Sequence, residues 1–398
     1  MPILMSTRVR VPHSVSGFVP TVTLESTQTT GEEPSMTTNT VRFPGVVLPG
    51  SVLLPTAEDA FRWGGENYGP WLRRITDGET GDRSHWIQSQ TKQFEENPTL
   101  ELAEPDPNRP FGRAKPKEGV EPSFNRFGYA DWAAKSYESF VGARETGILP
   151  AGIRFVVAMP HPMDTVWIMT QPDAFGQIYP AYEARALASV GEIANVIPHH
   201  DLTIQWDMPM ASLIWADSAP NLFASKQEML EAVVRAANAV PTDVELGFHL
   251  CHGDRTAPVD TGSELAGAGE GLKVVQERPD ASSLASLMNV LVDSIARPIA
   301  YFHLPTDAGW LEPHHYEPLK NLKIGPDTEI HVGVVALRLD ENLPIEEGKK
   351  RSRQRASAAR SVLGNVGMSS SCGMGRHTPE QFEAATELIR ELATEATR

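Results

Sequence analysis

Short apolar runs alternate with stretches of helical periodicity from residue 51 onward, and this alternation constrains the fold most strongly. Most of the runs are followed by a segment of helical period. Eight strands, each followed by a helix, is the count of a (β/α)8 barrel, which routinely reaches this chain length. The alternation therefore predicts a single TIM barrel, although 398 residues would also accommodate two or three domains. The eight runs are SVLLP (51–55), LRRIT (72–76), IRFVVAMP (153–160), LTIQWD (202–207), VELGFHLC (244–251), IAYFHLP (299–305), IHVGVVAL (330–337) and VGMSSSC (366–372).

Two segments depart from this rhythm. Residues 1–45 are rich in Ser, Thr and Pro and offer little to bury, so we expect a flexible tail before a barrel domain over 46–398. Residues 88–127 are polar and Pro-rich, and they form a long insertion between the second and third strands. Long insertions in compact barrels are often functional, so this one is either a lid over the site or a surface excursion.

The chain is acidic, with a formal net charge of −16 and a sequence pI near 5.2. Such a surface repels phosphate backbones and anionic lipid headgroups, which argues against nucleic-acid and membrane partners. The N-terminus shows no secretory pattern, and no apolar run is long enough to span a bilayer. We therefore expect a cytoplasmic protein with a small-molecule substrate.

The sequence contains two cysteines, Cys251 and Cys372. Two cysteines are too few to form a disulfide framework in a chain of this length. They are therefore either inert buried thiols or ligands of one shared metal site. Side chains alternate along a strand, so His249 and Cys251 share one face at the carboxyl end of the fifth strand. Cys372 follows the eighth strand and falls at the same mouth of the barrel. A mixed set of nitrogen and sulfur donors favours Zn2+ over magnesium or calcium.

Several motifs resemble one known group of barrels. GFHLCHGD, SCGMGR and IQWDMP are similar to elements of cobalamin-independent methionine synthase, which is grouped with uroporphyrinogen decarboxylase in one barrel superfamily. RRITDGETGDRSHWI, FGYADWAAKSYESF and LPAGIRFVVAMPHP look closer to short single-barrel relatives of the synthase, and the resemblance covers about residues 50–395. It implies that zinc is held by His249, Cys251 and Cys372, that the zinc activates a thiol, and that Asp207 grips an ammonium group.

The sequence also departs from that family. The family's zinc-binding Glu belongs at the end of the sixth strand, where this chain has His303, so His303 is the expected fourth ligand or a close neighbour of the metal. The Glu of the family's D-E-P element is Met208 here, and the half-barrel that helps the synthase bind a folate is not found. We therefore expect a different substrate, a thiol or an amino-acid-like compound.

Further candidate residues lie near strand ends. Asp77 and Glu79 follow the second strand and could bind an ammonium group or transfer a proton, whereas Arg83 could clamp a carboxylate. The alternative interpretation is a solvated Asp-Gly turn. Asp254 and Arg376 lie just beyond the proposed ligands and are candidate substrate contacts.

The leading hypothesis is a zinc-dependent transferase that moves a methyl or alkyl group to or from a thiol. A zinc-dependent lyase or hydrolase on the same barrel is the first alternative. A metal-free decarboxylase is the second, and it would need Arg83, Arg154 and Arg376 to hold carboxylates. A non-catalytic barrel is the third. No phosphate-binding loop supports a nucleotide cofactor.

Overall fold

The computed structural model describes residues 43–104, 113–252, 279–337 and 343–398. Within them, seven strands form one parallel sheet in the order β1-β4-β5-β6-β7-β8-β9, and β2 and β3 form a separate antiparallel pair. The strands are β1 (Arg74–Thr76), β2 (Leu100–Leu102), β3 (Ala114–Pro116), β4 (Arg154–Pro160), β5 (Leu202–Asp207), β6 (Glu245–His249), β7 (Tyr301–Pro305), β8 (Glu329–Val335) and β9 (Gly367–Ser370).

Helices connect the parallel strands, since two parallel neighbours cannot be joined by a tight turn. In the described residues they are α1 (Ala57–Tyr68), α2 (Thr91–Glu95), α3 (Tyr129–Glu145), α4 (Pro162–Met169), α5 (Phe175–Val196), α6 (Pro209–Trp215), α7 (Lys226–Ala239), α8 (Ala281–Ser294), α9 (Ile345–Leu363) and α10 (Pro379–Ala396). None of them is long and apolar enough to cross a membrane.

The local sequence fixes where the last helix, α10, begins. The side chain of Thr378 accepts a hydrogen bond from the backbone N–H of Gln381, and the Gln381 side chain accepts one from Thr378 in return. Pro379 occupies the first turn, where its missing N–H leaves no bond unmade. This capping holds α10 against α9 and β9, the strand that leads to Cys372.

The strands are buried because helices cover the sheet. Every residue of β5 is buried, and so is every residue of β7. On β5, Leu202, Ile204 and Trp206 belong to the apolar core, whereas Gln205 and Asp207 belong to the opposite, polar face. The same alternation on β6 and β7 gathers polar groups on one face of the sheet, at the carboxyl ends of the strands.

The predicted first strand, residues 51–55, is not a strand. The segment that pairs with the sheet lies earlier, at Val46, which forms isolated parallel bridges with Leu72 on one side and Met368 on the other. Gly45 permits this close approach because its φ is +105° and a Cβ there would lie 2.2 Å from the carbonyl oxygen of Trp71. The later segment is held by loop contacts, with the carbonyl of Ser51 accepting from the backbone N–H of Gly375 at 2.9 Å. Of the predicted tail, residues 1–42 lie outside the described residues.

β1 and β4 pair directly in the sheet, so the long segment between them lies outside the sheet. The described part of this segment packs against the rest of the fold. Its β2–β3 hairpin is joined to the end of α4 by a bridge between Ala114 and Thr170. Phe94 and Phe127 stack on Tyr182 of α5 at ring-centroid distances of 5.4 and 4.8 Å. The described part of the predicted lid is therefore anchored by aromatic packing.

Candidate metal centre

Three neighbouring strands place polar side chains in one row. In the register of the sheet, Asp207 on β5 is the partner of His249 on β6, and His249 is the partner of His303 on β7. All three side chains are buried. The row lies at the carboxyl ends of the strands, where barrels carry their functional groups.

His249, Cys251 and Cys372 form a group that could hold a metal ion, because their ligand atoms all lie within 4.8 Å of one another. The two sulfurs are 3.4 Å apart, and neither cysteine forms a disulfide. The Arg376 guanidinium lies 3.6 Å from the sulfur of Cys372. A hydrogen bond from Cys251 lowers the pKa of the Cys372 thiol well below its usual range, with His249 and Arg376 acting in the same direction against burial. The site therefore favours the thiolate, the form that binds metals.

The loop that follows β9 fixes the position of Cys372. Gly373 packs directly on the backbone of Ser51, and a Cβ at this glycine would lie 2.7 Å from the Ser51 nitrogen. The carbonyl of Ser51 also accepts the N–H of Met374 at 2.5 Å. Because these contacts leave no room for a side chain, packing requires glycine at position 373, directly after Cys372.

His303 lies beside the group of three candidate ligands, and hydrogen bonds engage both of its ring nitrogens. Its Nδ1 is 2.6 Å from Nδ1 of His249, and its Nε2 is 3.0 Å from the carbonyl oxygen of Ser370. Burial lowers the pKa of His303 well below its usual value, and the neighbouring His249 and His331 lower it further. The structure thus places His303 next to His249 and directs its two ring nitrogens to His249 and to the Ser370 carbonyl; a role as zinc ligand or close neighbour of the metal stays a prediction.

Asp207 is buried at the same mouth and receives one side-chain hydrogen bond. Nε2 of Gln205 donates to its Oδ1 at 2.8 Å, and the Gln205 amide is itself oriented by the Tyr301 hydroxyl, 2.7 Å from its Oε1. Within the described residues, no cationic side chain forms an ion pair with Asp207. Burial raises the pKa of Asp207 well above its usual value, and the nearby Glu79 raises it further.

Glu79 shares this environment. Its carboxyl oxygens lie 3.6 and 3.7 Å from the position of a Cβ on Gly50, in the segment that contacts the Cys372 loop. Burial raises the pKa of Glu79 to about 8, partly offset by Arg83 and reinforced by Asp77 and Cys372. Its backbone is in the left-handed region, with φ at +45°, and its N–H donates to Oδ1 of Asp77. Asp207 and Glu79 are thus two buried carboxyl groups with raised pKa values, and Glu79 contributes to the rise at Asp207.

Asp77 and Arg83 form an ion pair with each other. From the sequence alone, they are candidates for separate roles in the site. Both guanidinium nitrogens of the Arg83 fork donate to Asp77, at 2.5 and 3.3 Å, and the hydroxyl of Ser136 donates to Oδ2 at 2.6 Å. The Arg83 guanidinium also lies over the ring of Trp132, 5.7 Å from its centroid. Asp77, Arg83 and Trp132 line a small cavity of about 30 Å³ together with Glu79 and Tyr129.

Two predicted residues remain, Asp254 and Arg154. Asp254 lies outside the described residues. Arg154 is at the opposite end of the strands, paired with Glu245 at 3.1 Å. Ser370, Ser136 and Tyr301 touch the site residues but were not singled out from the sequence, because a single Ser or Tyr in a strand carries no distinguishing pattern.

Comparisons with known proteins show the fold. No family model matches the sequence, and no curated protein matches it either. Among solved structures, a B12-independent methionine synthase from Shewanella sp. W3-18-1 in complex with selenomethionine is similar over 89% of this chain and 98% of that one, with 14% identity and a TM-score of 0.51. A methyltransferase from Methanosarcina mazei matches over 88% of this chain and 93% of that one, with 12% identity and a TM-score of 0.42. The resemblance seen in the motifs is therefore confirmed at the level of fold, which this chain shares with a barrel protein of the methionine-synthase type.

Proposed function

We propose that this chain is a zinc-dependent transferase that moves a methyl or alkyl group to or from the sulfur of a small amino-acid-like thiol. The observation that supports this most directly is the His249, Cys251 and Cys372 group, whose ligand atoms lie within 4.8 Å of one another. The group sits at the carboxyl ends of the parallel strands, the functional face of such folds. We also infer that Val46, which bridges to both sides, completes an eight-membered barrel.

The donor set fits zinc. Two thiolates and one imidazole are the ligand types that zinc prefers, and three protein ligands are typical of catalytic sites, which keep one position open. Zinc bound there would hold a substrate thiol as its thiolate, a strong nucleophile at neutral pH. The lowered pKa of Cys372 favours the protein ligand in the form that the metal needs.

Asp207 and Glu79 would bind the ammonium group of the substrate. Both are buried, burial raises the pKa of each, and the nearby Glu79 raises the pKa of Asp207 further. A cation placed between them would reverse this effect, because it stabilises both carboxylates. The Shewanella protein was solved with selenomethionine, an amino acid carrying a soft chalcogen, which is consistent with an amino-acid-like substrate.

The other predicted residues take supporting roles in this proposal. The charge of Asp77 is compensated by its ion pair with Arg83, so Asp77 would not transfer a proton. It would instead position Glu79, because its Oδ1 accepts the backbone N–H of Glu79. Arg376 would stabilise the Cys372 thiolate, and Asp254 and Arg376 remain proposed substrate contacts.

A metal-free decarboxylase is less well supported, because Arg83 and Arg154 are each paired with a carboxylate and lie at different ends of the sheet. A zinc-dependent lyase or hydrolase would use the same ligands. Binding of a thiol to the metal distinguishes the transferase from that alternative.

Metal analysis of purified protein tests the site. We expect about one zinc per chain, with Cys251→Ser and Cys372→Ser each losing most of it while circular dichroism stays unchanged. Ser371→Ala is the matched control, since it alters a side chain next to Cys372 and leaves all three ligands in place. Full zinc content in both cysteine variants would contradict the proposal.

A further inference from the structure

A chain of hydrogen bonds runs from the proposed metal site through His303. Nδ1 of His249 lies 2.6 Å from Nδ1 of His303, and Nε2 of His303 lies 3.0 Å from the carbonyl oxygen of Ser370. The two histidines are register partners on adjacent parallel strands, so the backbone of the sheet fixes their separation. Their ring centroids are 4.6 Å apart.

Hydrogen-bond chemistry determines where the protons lie. A carbonyl oxygen only accepts, so Nε2 of His303 must carry a hydrogen. Two nitrogens at 2.6 Å share one proton, because two N–H groups cannot point at each other. Within the described part of the chain no carboxylate bonds to His303, whereas its register partner His331 has Glu329 at 3.0 Å. The fully buried His303 ring is therefore neutral, and its Nδ1 accepts the hydrogen of His249 Nδ1.

We propose that His303 is a positioning residue that holds His249 in the tautomer whose Nε2 lone pair is free to bind the metal. A metal binds neutral imidazole through an unprotonated nitrogen, and the bond to His303 removes Nδ1 of His249 from that role. His303 itself is not a ligand, because both of its nitrogens are engaged. The inference rests on the proposed metal site, since it describes how one of its ligands is prepared.

The same ring connects the two halves of the site. Ser370 ends β9, two residues before Cys372, and its hydroxyl donates to the Cys372 carbonyl at 2.7 Å. His303 thus links the strand that carries His249 to the loop that carries Cys372. A change at His303 should therefore disturb the orientation of His249 and the placement of Cys372 together.

Metal affinity, measured by competition with a chromophoric chelator, separates positioning from ligation. In His303→Leu both hydrogen bonds are lost, and we expect zinc affinity to fall by about 10–100-fold, the usual effect of removing a group that orients a ligand. In His303→Gln the amide oxygen can accept from His249 and the amide nitrogen can donate to Ser370, so affinity should be largely restored. If His303 were a ligand, Gln would be as damaging as Leu, and that result would overturn the proposal.

His331→Gln is the matched control, because His331 is equally buried on the next strand and does not touch the group of three ligands. Its zinc affinity should remain near that of the wild type. An equal loss in His331→Gln and His303→Leu would assign the effect to general disruption of the sheet and reject the positioning role.

Nitrogen NMR of the metal-free protein gives a readout that does not depend on zinc. With 15N-labelled histidine, His249 should show a protonated Nδ1 and an unprotonated Nε2 in the wild type and in His303→Gln, and a mixture of tautomers in His303→Leu. A protonated Nε2 on His249 in the wild type would refute the inference. Should the wild type show the expected tautomer but bind no zinc, the proposed function would fail while the hydrogen-bond assignment stands.

Discussion

Replacing Glu79 with glutamine should stabilise the metal-free protein at neutral pH while impairing its function. Burial raises the pKa of Glu79 from 4.5 to about 8, so the folded state holds this group protonated over a range in which the unfolded chain ionises it. The folded protein therefore loses stability relative to the unfolded chain as pH rises from about 4.5 to about 8. Glutamine has nearly the same shape and never ionises, so it removes this loss.

The magnitude follows from the shift. Each unit between the two pKa values corresponds to about 1.4 kcal/mol, so the destabilisation by Glu79 reaches about 3 kcal/mol at pH 7 and is near zero below pH 4.5. The variant should accordingly gain about 2–3 kcal/mol more at pH 7 than at pH 5. Such a gain in the free energy of unfolding is expected when a residue that serves function lowers the stability of the fold.

Urea unfolding of chelator-treated protein, followed by circular dichroism at pH 5, 6, 7 and 8, measures this difference. The stability curves of the wild type and Glu79→Gln should diverge with rising pH. The variant should also bind an amino-acid thiol more weakly in its zinc form. Parallel curves across this range, or a variant that is less stable at pH 7, would refute the assignment of Glu79 as a buried, protonated carboxyl group.

Three further substitutions have defined outcomes. Asp207→Asn keeps the shape and hydrogen bond of Asp207 but cannot carry the negative charge that would meet an ammonium group, so kcat/KM should fall by about 10²-fold or more, and wild-type kinetics would exclude ammonium binding. Thermal stability at pH 7 should not fall, because burial raises the pKa of Asp207 and Asn never ionises. Glu329→Gln should destabilise the fold by about 3 kcal/mol at pH 7. Although burial opposes ionisation of Glu329, the hydrogen bond from His331 and the charge of Arg74 lower its pKa to about 2. The stability of the wild type over this variant should disappear as pH falls from about 4.5 to about 2, and urea titrations at pH 3 and pH 7 would show whether it does. Gly373→Ala introduces a Cβ 2.7 Å from the Ser51 nitrogen, so it should lower both the melting temperature and the zinc content, and a variant with unchanged zinc would contradict the packing account of the Cys372 loop.

Strand alternation predicted much of this arrangement correctly. The positions of most strands follow from short apolar runs that alternate with helical segments, and side-chain alternation along a strand places His249 and Cys251 on one face. Seven of the eight predicted strand positions correspond to strands of the parallel sheet. The exception is the first, where VVLP and SVLLP offered two adjacent apolar runs. The close approach of Gly45 to Trp71 accompanies the pairing of the earlier run with the sheet. This contact joins residues that are distant in the sequence, so the sequence pattern alone could not show which run forms the strand.

The partners of the site residues could not be predicted in the same way. The pairing of Arg83 with Asp77, and the direction of both nitrogens of His303, depend on side-chain geometry between separate elements. The helix α9 also carries a weak helical pattern in the sequence, since its surface is dominated by Lys and Arg and its buried stripe consists mainly of alanine. Sequence patterns report which face a residue occupies, and packing determines what it touches.

Thiol binding to the cobalt-substituted protein tests the central claim most directly. Cobalt at the His249, Cys251 and Cys372 site should show sulfur-to-cobalt charge-transfer absorption from the two protein thiolates. Titration with a small amino thiol should increase that absorption by about one half, as a third sulfur occupies the open position, whereas the matching amino alcohol should not. Saturating thiol that leaves the spectrum unchanged would contradict the proposal that this metal site activates a thiol.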